Sequence, residues 1–544
     1  MKKQLFAFLF IFTLLLPVAA FGQASVKISS SEKKMAAAIT AEQLKQYLYF
    51  VASDAMGGRD TPSQGLDVTA EFLKMQLWKW GFKPAGNNGT FFQKIAIKNE
   101  SLDPAKTKLS FGGRSYALNE DFYRISGNGT VSDKQVVFAG HGWMIKSKNI
   151  DAMQGVDIKD KVVVLYSDGF PNQNRLTSLP AGLTPADLTG TRGTDWADAV
   201  TNAKSKGAAG IILVASPQIT TAWPQLANFL SRGNSYPEKL RENRSNSDNF
   251  PVFLASEKVG DAIFAGESGD KKAAAPFDIR KAVTMNAVSE SEIKWTQNVA
   301  AIWEGSHPVL KNEFVAIGAH YDHDGVRANA PGEDKIWNGA DDDGSGTVAV
   351  LAIAEALAKA KKRPDRSVLF VWHAGEEKGL WGSAYFNKFP TVDIKNIVAQ
   401  LNIDMIGRSK SPDDSNPKNK ELTGDHEVYV IGADMMSSAL GAVTKATNNA
   451  YLKLDYNYKY DDPKDPNRFF YRSDHFNYAV NGIPIAFWFT GVHEDYHQAS
   501  DHPDKIDYAK MEKITRTIFM TLWEVANLKD RPKVDKQLPP ELTQ

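Results

Sequence analysis

Carboxylates and imidazoles crowd into four short stretches of the C-terminal half. They are His320-Tyr321-Asp322-His323, Asn338-Gly339-Ala340-Asp341-Asp342-Asp343-Gly344-Ser345-Gly346, His373-Ala374-Gly375-Glu376-Glu377 and Asp404-Met405-Ile406-Gly407-Arg408. Taken singly, each has an ordinary explanation: a surface HxD, a solvated Glu-Glu pair, an acidic turn that caps a helix. Brought together, that many carboxylates raise one another's pKa unless a cation lies among them. A bound dication reverses the cost. The chain has no cysteine, so thiolate ligands and disulfides are excluded. Imidazole with carboxylate then suits zinc or a similar divalent ion.

Strands are what would bring these stretches together. Residues 314–319, 368–372, 397–403, 428–431 and 483–489 are near-continuous apolar runs, and 347–360 reads as a helix between two of them. Buried strands alternating with helices predict an α/β sheet covered on both faces. Three of the runs lead straight into His320, His373 and Asp404. Ligands in such sheets bind outside the carboxyl ends of strands, so three armed endings point to one shared crevice. The acidic turn 338–346 lies between the first two.

The N-terminal half has a different texture. Residues 44–56 read as a helix start and turn, and 68–80 as a helix with Val68, Phe72, Met75 and Leu77 at helical spacing, stopped by Gly81. Residues 84–89 read as a loop. Between about 131 and 276, short strands are expected at 136–139, 162–166, 211–214 and 252–254. A helix is expected at 197–206 before Gly207, and a polar loop at 243–249. This predicts a separate small α/β or β-rich domain, and the chain has no internal repeat.

The same residues carry a family resemblance. His320-x-Asp322, Asn338-Gly-Ala-Asp-Asp-Asp-x-Ser-Gly346, Gly375-Glu-Glu-x-Gly379, Asn402-x-Asp404-Met-Ile-Gly407 and Asp495-Tyr-His497 resemble, in order, the motifs of the M28 metallopeptidases. Val51-Ala-Ser-Asp-x-Met-x-Gly-Arg59 resembles the opening of such enzymes. The resemblance implies a zinc-dependent exopeptidase fold, a mixed sheet sandwiched by helices. It assigns one metal to His320 and Asp404 and a second to Glu377 and His497, with Asp342 bridging two zinc ions; other divalent metals suit the same ligands. It further implies a cis peptide between Asp342 and Asp343, and Asp322 orienting His320 through its other ring nitrogen. Glu376 is implied as the general base toward a metal-activated water, and Tyr496 as a donor to the oxyanion. His323, His475, His493 and His502 are left as supporting or surface residues, and Arg472-Ser473-Asp474-His475 as a stretch that could line the substrate pocket.

Ile158-Lys-Asp-Lys-Val-Val-Val164, Ala203-Lys-Ser-Lys-Gly-Ala-Ala-Gly-Ile-Ile-Leu213 and Phe250-Pro-Val252 resemble a protease-associated (PA) insert. Such an insert is expected to wall or cover the crevice. The implied activity is an aminopeptidase acting on peptide substrates. A carboxypeptidase, for which Arg408 or Arg472 could serve, and a single-metal glutaminyl cyclase are the enzymatic alternatives. A degenerate, metal-binding receptor is the non-enzymatic one.

The composition agrees with a globular protein. The chain's 544 residues exceed one ordinary core, and with 64 basic and 64 acidic side chains the formal net charge is zero. Bulk charge therefore gives no support to a nucleic-acid partner or an anionic membrane. Lys2, Lys3, the apolar stretch 5–16 and Ala20-Phe21-Gly22 follow the plan of a cleaved secretory signal. Export to the periplasm or medium is expected, with no stable membrane anchor after cleavage. The expected organisation is a signal at 1–22, an N-terminal part of the peptidase domain at 36–125, a PA-like insert at 126–290, the catalytic domain at 291–528 and a tail at 529–544.

Overall fold

The computed structural model describes residues 26–167, 177–230, 233–241, 249–273 and 275–542. The predicted signal and its cleavage site, and most of the 243–249 loop, lie outside them. The chain divides into two compact units, Met1–Lys94 with Thr296–Gln544, and Ile95–Trp295.

In chain order, the elements that build the discontinuous unit are helices α1 (Ala41–Val51) and α2 (Gln64–Lys79), strands β1 (Ser289–Trp303, in this unit from Thr296 on) and β2 (Phe314–His320), and helix α3 (Gly346–Lys359). Strands β3 (Ser367–His373), β4 (Ile397–Ile403), β5 (Glu427–Ile431) and β6 (Ile485–Phe489) follow, then helix α4 (Tyr508–Ala526). The central order is β1-β3-β2-β4-β6-β5. Strands β3, β2, β4 and β6 run parallel, with His320 in register with His373, and β1 and β5 flank them antiparallel. The parallel strands are wholly or almost wholly buried, which is why they read as continuous apolar runs rather than alternating ones. Alternate side chains face opposite layers. Val315, Ile317, Phe370 and Leu401 pack with α1, α2, α3 and α4, while Ala316, Leu369, Val371 and Phe487 pack with the short helices Trp381–Lys388 and His475–Val480. The mixed α/β sandwich expected from the sequence is the observed fold.

One helix face differs from expectation. In α2 the buried stripe is Leu66, Ala70, Leu73 and Leu77, while Val68 and Met75 are 39% and 50% exposed. Apolar residues occur all round this helix, so spacing alone matched more than one stripe, and packing selected the leucines.

The unit Ile95–Trp295 has its own eight-stranded mixed sheet. Val162–Ser167 pairs parallel with Gly129–Phe138 and with Gly210–Ala215, which pairs parallel with Val252–Ala255. Val162, Val164, Ile212 and Val214 face a core with Val259 and Ile263 of the helix Glu257–Phe264. Val163, Leu165, Ile211 and Leu213 face another with Ala199 and Ala203 of the helix Ala199–Ser205. Among the described residues, no helix of the chain is long and apolar enough to cross a membrane.

Candidate metal centre

Strand β2 delivers His320 to its carboxyl end. Thr347, in the first turn of α3, donates its hydroxyl to the His320 carbonyl at 2.6 Å, and the Trp372 indole on β3 donates to the Thr347 carbonyl at 3.0 Å. His320 Nδ1 is 3.2 Å from the backbone oxygen of Asp322 and 3.7 Å from its carboxylate. The Asp322 carboxylate instead accepts the Glu376 N–H at 3.1 Å. Asp322 therefore fixes the imidazole with its main chain and ties the end of β2 to the end of β3 with its side chain.

The three consecutive aspartates divide their work. The peptide bond between Asp342 and Asp343 is cis. Asp341 accepts the Gly407 N–H at 2.6 Å and approaches His493 Nε2 at 3.1 Å. Asp343 accepts the N–H groups of Gly346 and Met405 at 2.8 and 3.2 Å. A Cβ on Gly346 would come within 2.3 Å of that carboxylate, so only glycine admits the approach. Asp501 accepts the N–H groups of Asp341 and Asp342 at 2.9 and 3.1 Å. The Asp342 carboxylate is left to face the cluster. Its Oδ1 is 3.3 Å from His320 Nε2 and its Oδ2 3.1 Å from His497 Nε2.

The remaining predicted residues close around this carboxylate. Asp404, following β4, places Oδ2 3.7 Å from His320 Nε2. Glu377, following β3, places Oε2 3.2 Å from His497 Nε2. Glu376 Oε2 is 3.9 Å from His320 Nε2. Asp342, Glu376, Asp404, Tyr496 and His497 line one pocket of about 370 Å³, whose other walls are Met405, Phe469, Phe487, Phe489, Val492 and Arg472. The five predicted ligands, Glu376 and Tyr496 thus share one cluster, with Asp322 immediately behind it.

Burial and charge act against each other here. Burial draws His497 down, but Asp342 and Glu377 outweigh it and hold the imidazole at about 10. Burial and the Asp342 charge push Glu377 up, yet His323 and His497 hold it at about 2. Burial also opposes ionisation of Asp342, and the surrounding imidazoles keep it well below the usual carboxylate range. Glu376 goes the other way, raised well above that range chiefly by burial. Protons on the imidazoles thus compensate the carboxylates, a task that a divalent ion performs with more charge in less space.

The residues fit such an ion. Asp342 Oδ2, Asp343 Oδ2 and His323 Nε2 are buried without a hydrogen-bond partner. Donor atoms of His320, Asp343 and Asp404, and of His323, Asp342 and Glu377, lie within 4.8 Å of one another in each group. These groups differ from the sequence-based set by including Asp343 and His323. Asp343 receives two backbone N–H groups through Oδ1, and His323 Nδ1 lies 2.7 Å from Glu377 Oε1, while Asp343 Oδ2 and His323 Nε2 have no hydrogen-bond partner.

Several residues support the cluster from outside the predicted ligand set. His323, left by the sequence as a supporting or surface residue, is fully buried against Glu377 and so is a support. Buried Arg59 donates to the carbonyls of Val51, Tyr321, Asn338 and Gly339 at 2.7 to 2.9 Å, which clamps the β2 end to the acidic turn. Asp501 had no local signal, since nothing near it in sequence tells which distant N–H groups it receives. His475 is buried, bonded to the Phe470 carbonyl at 2.7 Å and stacked on Phe487, while His502 is a surface partner of Asp334.

Parallel strand ends that converge on a His–carboxylate cluster define a metal-site α/β domain. Residues 298–522 match the model of peptidase family M28. A probable leucine aminopeptidase of Arthroderma otae is 30% identical over 248 residues, covering 43% of this chain and 59% of that protein. Leucine aminopeptidase 2 of Trichophyton rubrum is 28% identical over 283 residues, covering 47% of this chain and 50% of that protein. The match therefore spans little more than half the length of these relatives. The solved aminopeptidase from Aneurinibacillus sp. strain AM-1 superposes with a TM-score of 0.48 at 17% identity, covering 93% of this chain and 97% of that one.

Proposed function

We propose that this protein is an exported, metal-dependent aminopeptidase that releases apolar residues from peptide N-termini. The observation that carries the reading is the Asp342 carboxylate held between His320 and His497 at the mouth of an apolar pocket. In this reading His320 and Asp404 would hold one zinc ion and Glu377 and His497 a second, with Asp342 available to both. Bound there, two divalent ions supply the Lewis acidity that makes water a nucleophile at neutral pH.

The chain's own residues do the rest. Glu376, adjacent to a ligand and lining the pocket, takes the proton of the attacking water and returns it to the leaving amine nitrogen. The Tyr496 hydroxyl, kept protonated mainly by burial, donates to the carbonyl oxygen as it gains charge. Phe469, Phe487, Phe489 and Met405 receive an apolar side chain, in keeping with relatives named leucine aminopeptidases. The carboxypeptidase alternative loses one of its arginines, because Arg408 Nη1 is engaged by Asp495 at 2.9 Å.

The test is hydrolysis of leucyl peptides, free and N-acetylated, with and without a chelator. Chelator-sensitive cleavage that acetylation abolishes is the expected result. Cleavage indifferent to acetylation would overturn the aminopeptidase assignment.

A further inference from the structure

The arginines near the cluster are not equivalent. Arg59 is buried and its donors go to four backbone carbonyls. Arg408, with a side chain only 11% exposed, is paired with Asp495. Arg472 is exposed and lines the candidate pocket together with Asp342, Glu376, Asp404 and His497. Among the described residues no carboxylate lies within ion-pair distance of it. Its guanidinium carbon is 5.0 Å from the centroid of the Phe469 ring, and its Nη2 is 3.3 Å from the Tyr496 hydroxyl. These contacts hold the cation against the pocket wall and leave most of its five N–H donors for a ligand.

We infer that Arg472 is a specificity-determining residue that receives the α-carboxylate of the amino acid next after the scissile bond, so that the enzyme favours dipeptides. The inference rests on the proposed aminopeptidase reaction. If Tyr496 donates to the carbonyl under attack, a guanidinium in contact with its hydroxyl lies within about one residue of that carbonyl. In a dipeptide the group one residue beyond is a carboxylate, whereas in a longer peptide or an amide it is neutral. The planar guanidinium fork matches a carboxylate with two parallel N–H bonds. An acidic side chain in the pocket itself is disfavoured, because it would have to lose water among the apolar groups of Met405, Phe469, Phe487, Phe489 and Val492. Without Arg472, the pocket's own carboxylates would repel a free C-terminus.

The experiment compares kcat/KM for Leu-Leu and Leu-Leu amide in the zinc-loaded full chain and in its Arg472→Gln and Arg472→Lys variants. Leu-p-nitroanilide and Glu-p-nitroanilide serve as carboxylate-free and acidic-side-chain probes. The expected wild-type preference for Leu-Leu over its amide is roughly tenfold or more, the usual scale of a hydrogen bond between charged groups. Arg472→Gln should bring that ratio close to one, mainly through KM, and Arg472→Lys should restore part of it. Any loss that reaches the reaction through Tyr496 falls on both substrates and cancels in the ratio. A ratio unchanged by Arg472→Gln, or near one in the wild type, would overturn the inference while leaving the aminopeptidase reading intact. A preference for Glu- over Leu-p-nitroanilide that disappears in Arg472→Gln would overturn it in favour of an acidic side chain. No chelator-sensitive turnover of any of these substrates by the wild type would overturn both readings.

Discussion

The two units of this chain use one elementary device, parallel strands buried on both faces, and arm it differently. In the discontinuous unit β2 ends in His320, β3 leads to Glu376 and Glu377, and β4 leads to Asp404. In the unit Ile95–Trp295, the strands Gly210–Ala215 and Val252–Ala255 lead to Ser216 and Ser256, whose hydroxyls accept the N–H groups of Ile219 and Val259 and cap the following helices. Among the described residues, both groupings of His and carboxylate able to hold a metal lie in the discontinuous unit. A parallel sheet thus offers a crevice wherever its strands end, but the residue types at those ends decide whether it holds an ion or starts a helix. Arming the ends is also costly, since a buried carboxylate without compensation destabilises the fold. That is why Asp322, Asp341, Asp343 and Asp501 all receive backbone N–H groups.

The largest effect should come from Asp342, which faces both sides of the cluster. Asp342→Ala should lose bound metal and bring peptide hydrolysis below detection, with both read on the same purified sample; full metal content would break the assignment of a bridge. Glu376→Gln should separate chemistry from binding. Metal content stays near wild type by elemental analysis, and kcat falls by about 10² to 10⁴-fold, the scale of general-base catalysis. Full turnover in that variant would remove Glu376 from the mechanism.

The contrast between units is sharpened by Ile212→Ala, in the buried core of the unit without metal ligands. Thermal or denaturant unfolding should show a loss of about 2 to 5 kcal/mol, with metal per folded molecule unchanged. A loss of metal alongside would mean that the two units are not independent in this respect. The smallest effect concerns Lys510, buried at the start of α4 and bonded to the Arg408 carbonyl and to Thr423. Burial pulls its amine down to about 7, against the charges of Asp341 and Asp507. Between that value and its ordinary range the unfolded chain holds the extra proton, so stability from this group rises as pH rises through the window. Lys510→Met should flatten the dependence of the melting temperature on pH above about 7, and an unchanged slope would contradict it.

Much of this architecture was legible because burial on both faces leaves an unmistakable pattern. The runs that became β2, β3 and β4 were marked by unbroken apolar residues, and the helix α3 followed from its spacing. The α2 face was not legible, since Val68 and Met75 compete with Leu66 and Leu73 for the same periodicity and only neighbouring surfaces choose between them. The start of the second compact unit, at Ile95, was not legible either. A strand such as Phe92–Leu102 carries no local mark of the unit in which its residues pack.

By itself the sequence determined the ligand chemistry: imidazole and carboxylate without thiolate, placed just beyond apolar strands and in motifs that resemble those of the M28 family. It also determined that any site lies at the carboxyl ends of those strands, because direction and order along the chain are written in it. Only the tertiary structure decided that Arg408 is occupied while Arg472 is open, and that His323 and Asp501 support the cluster. Those outcomes depend on which distant N–H, imidazole or carboxylate reaches each side chain, and such distances come from packing rather than from neighbours in the chain.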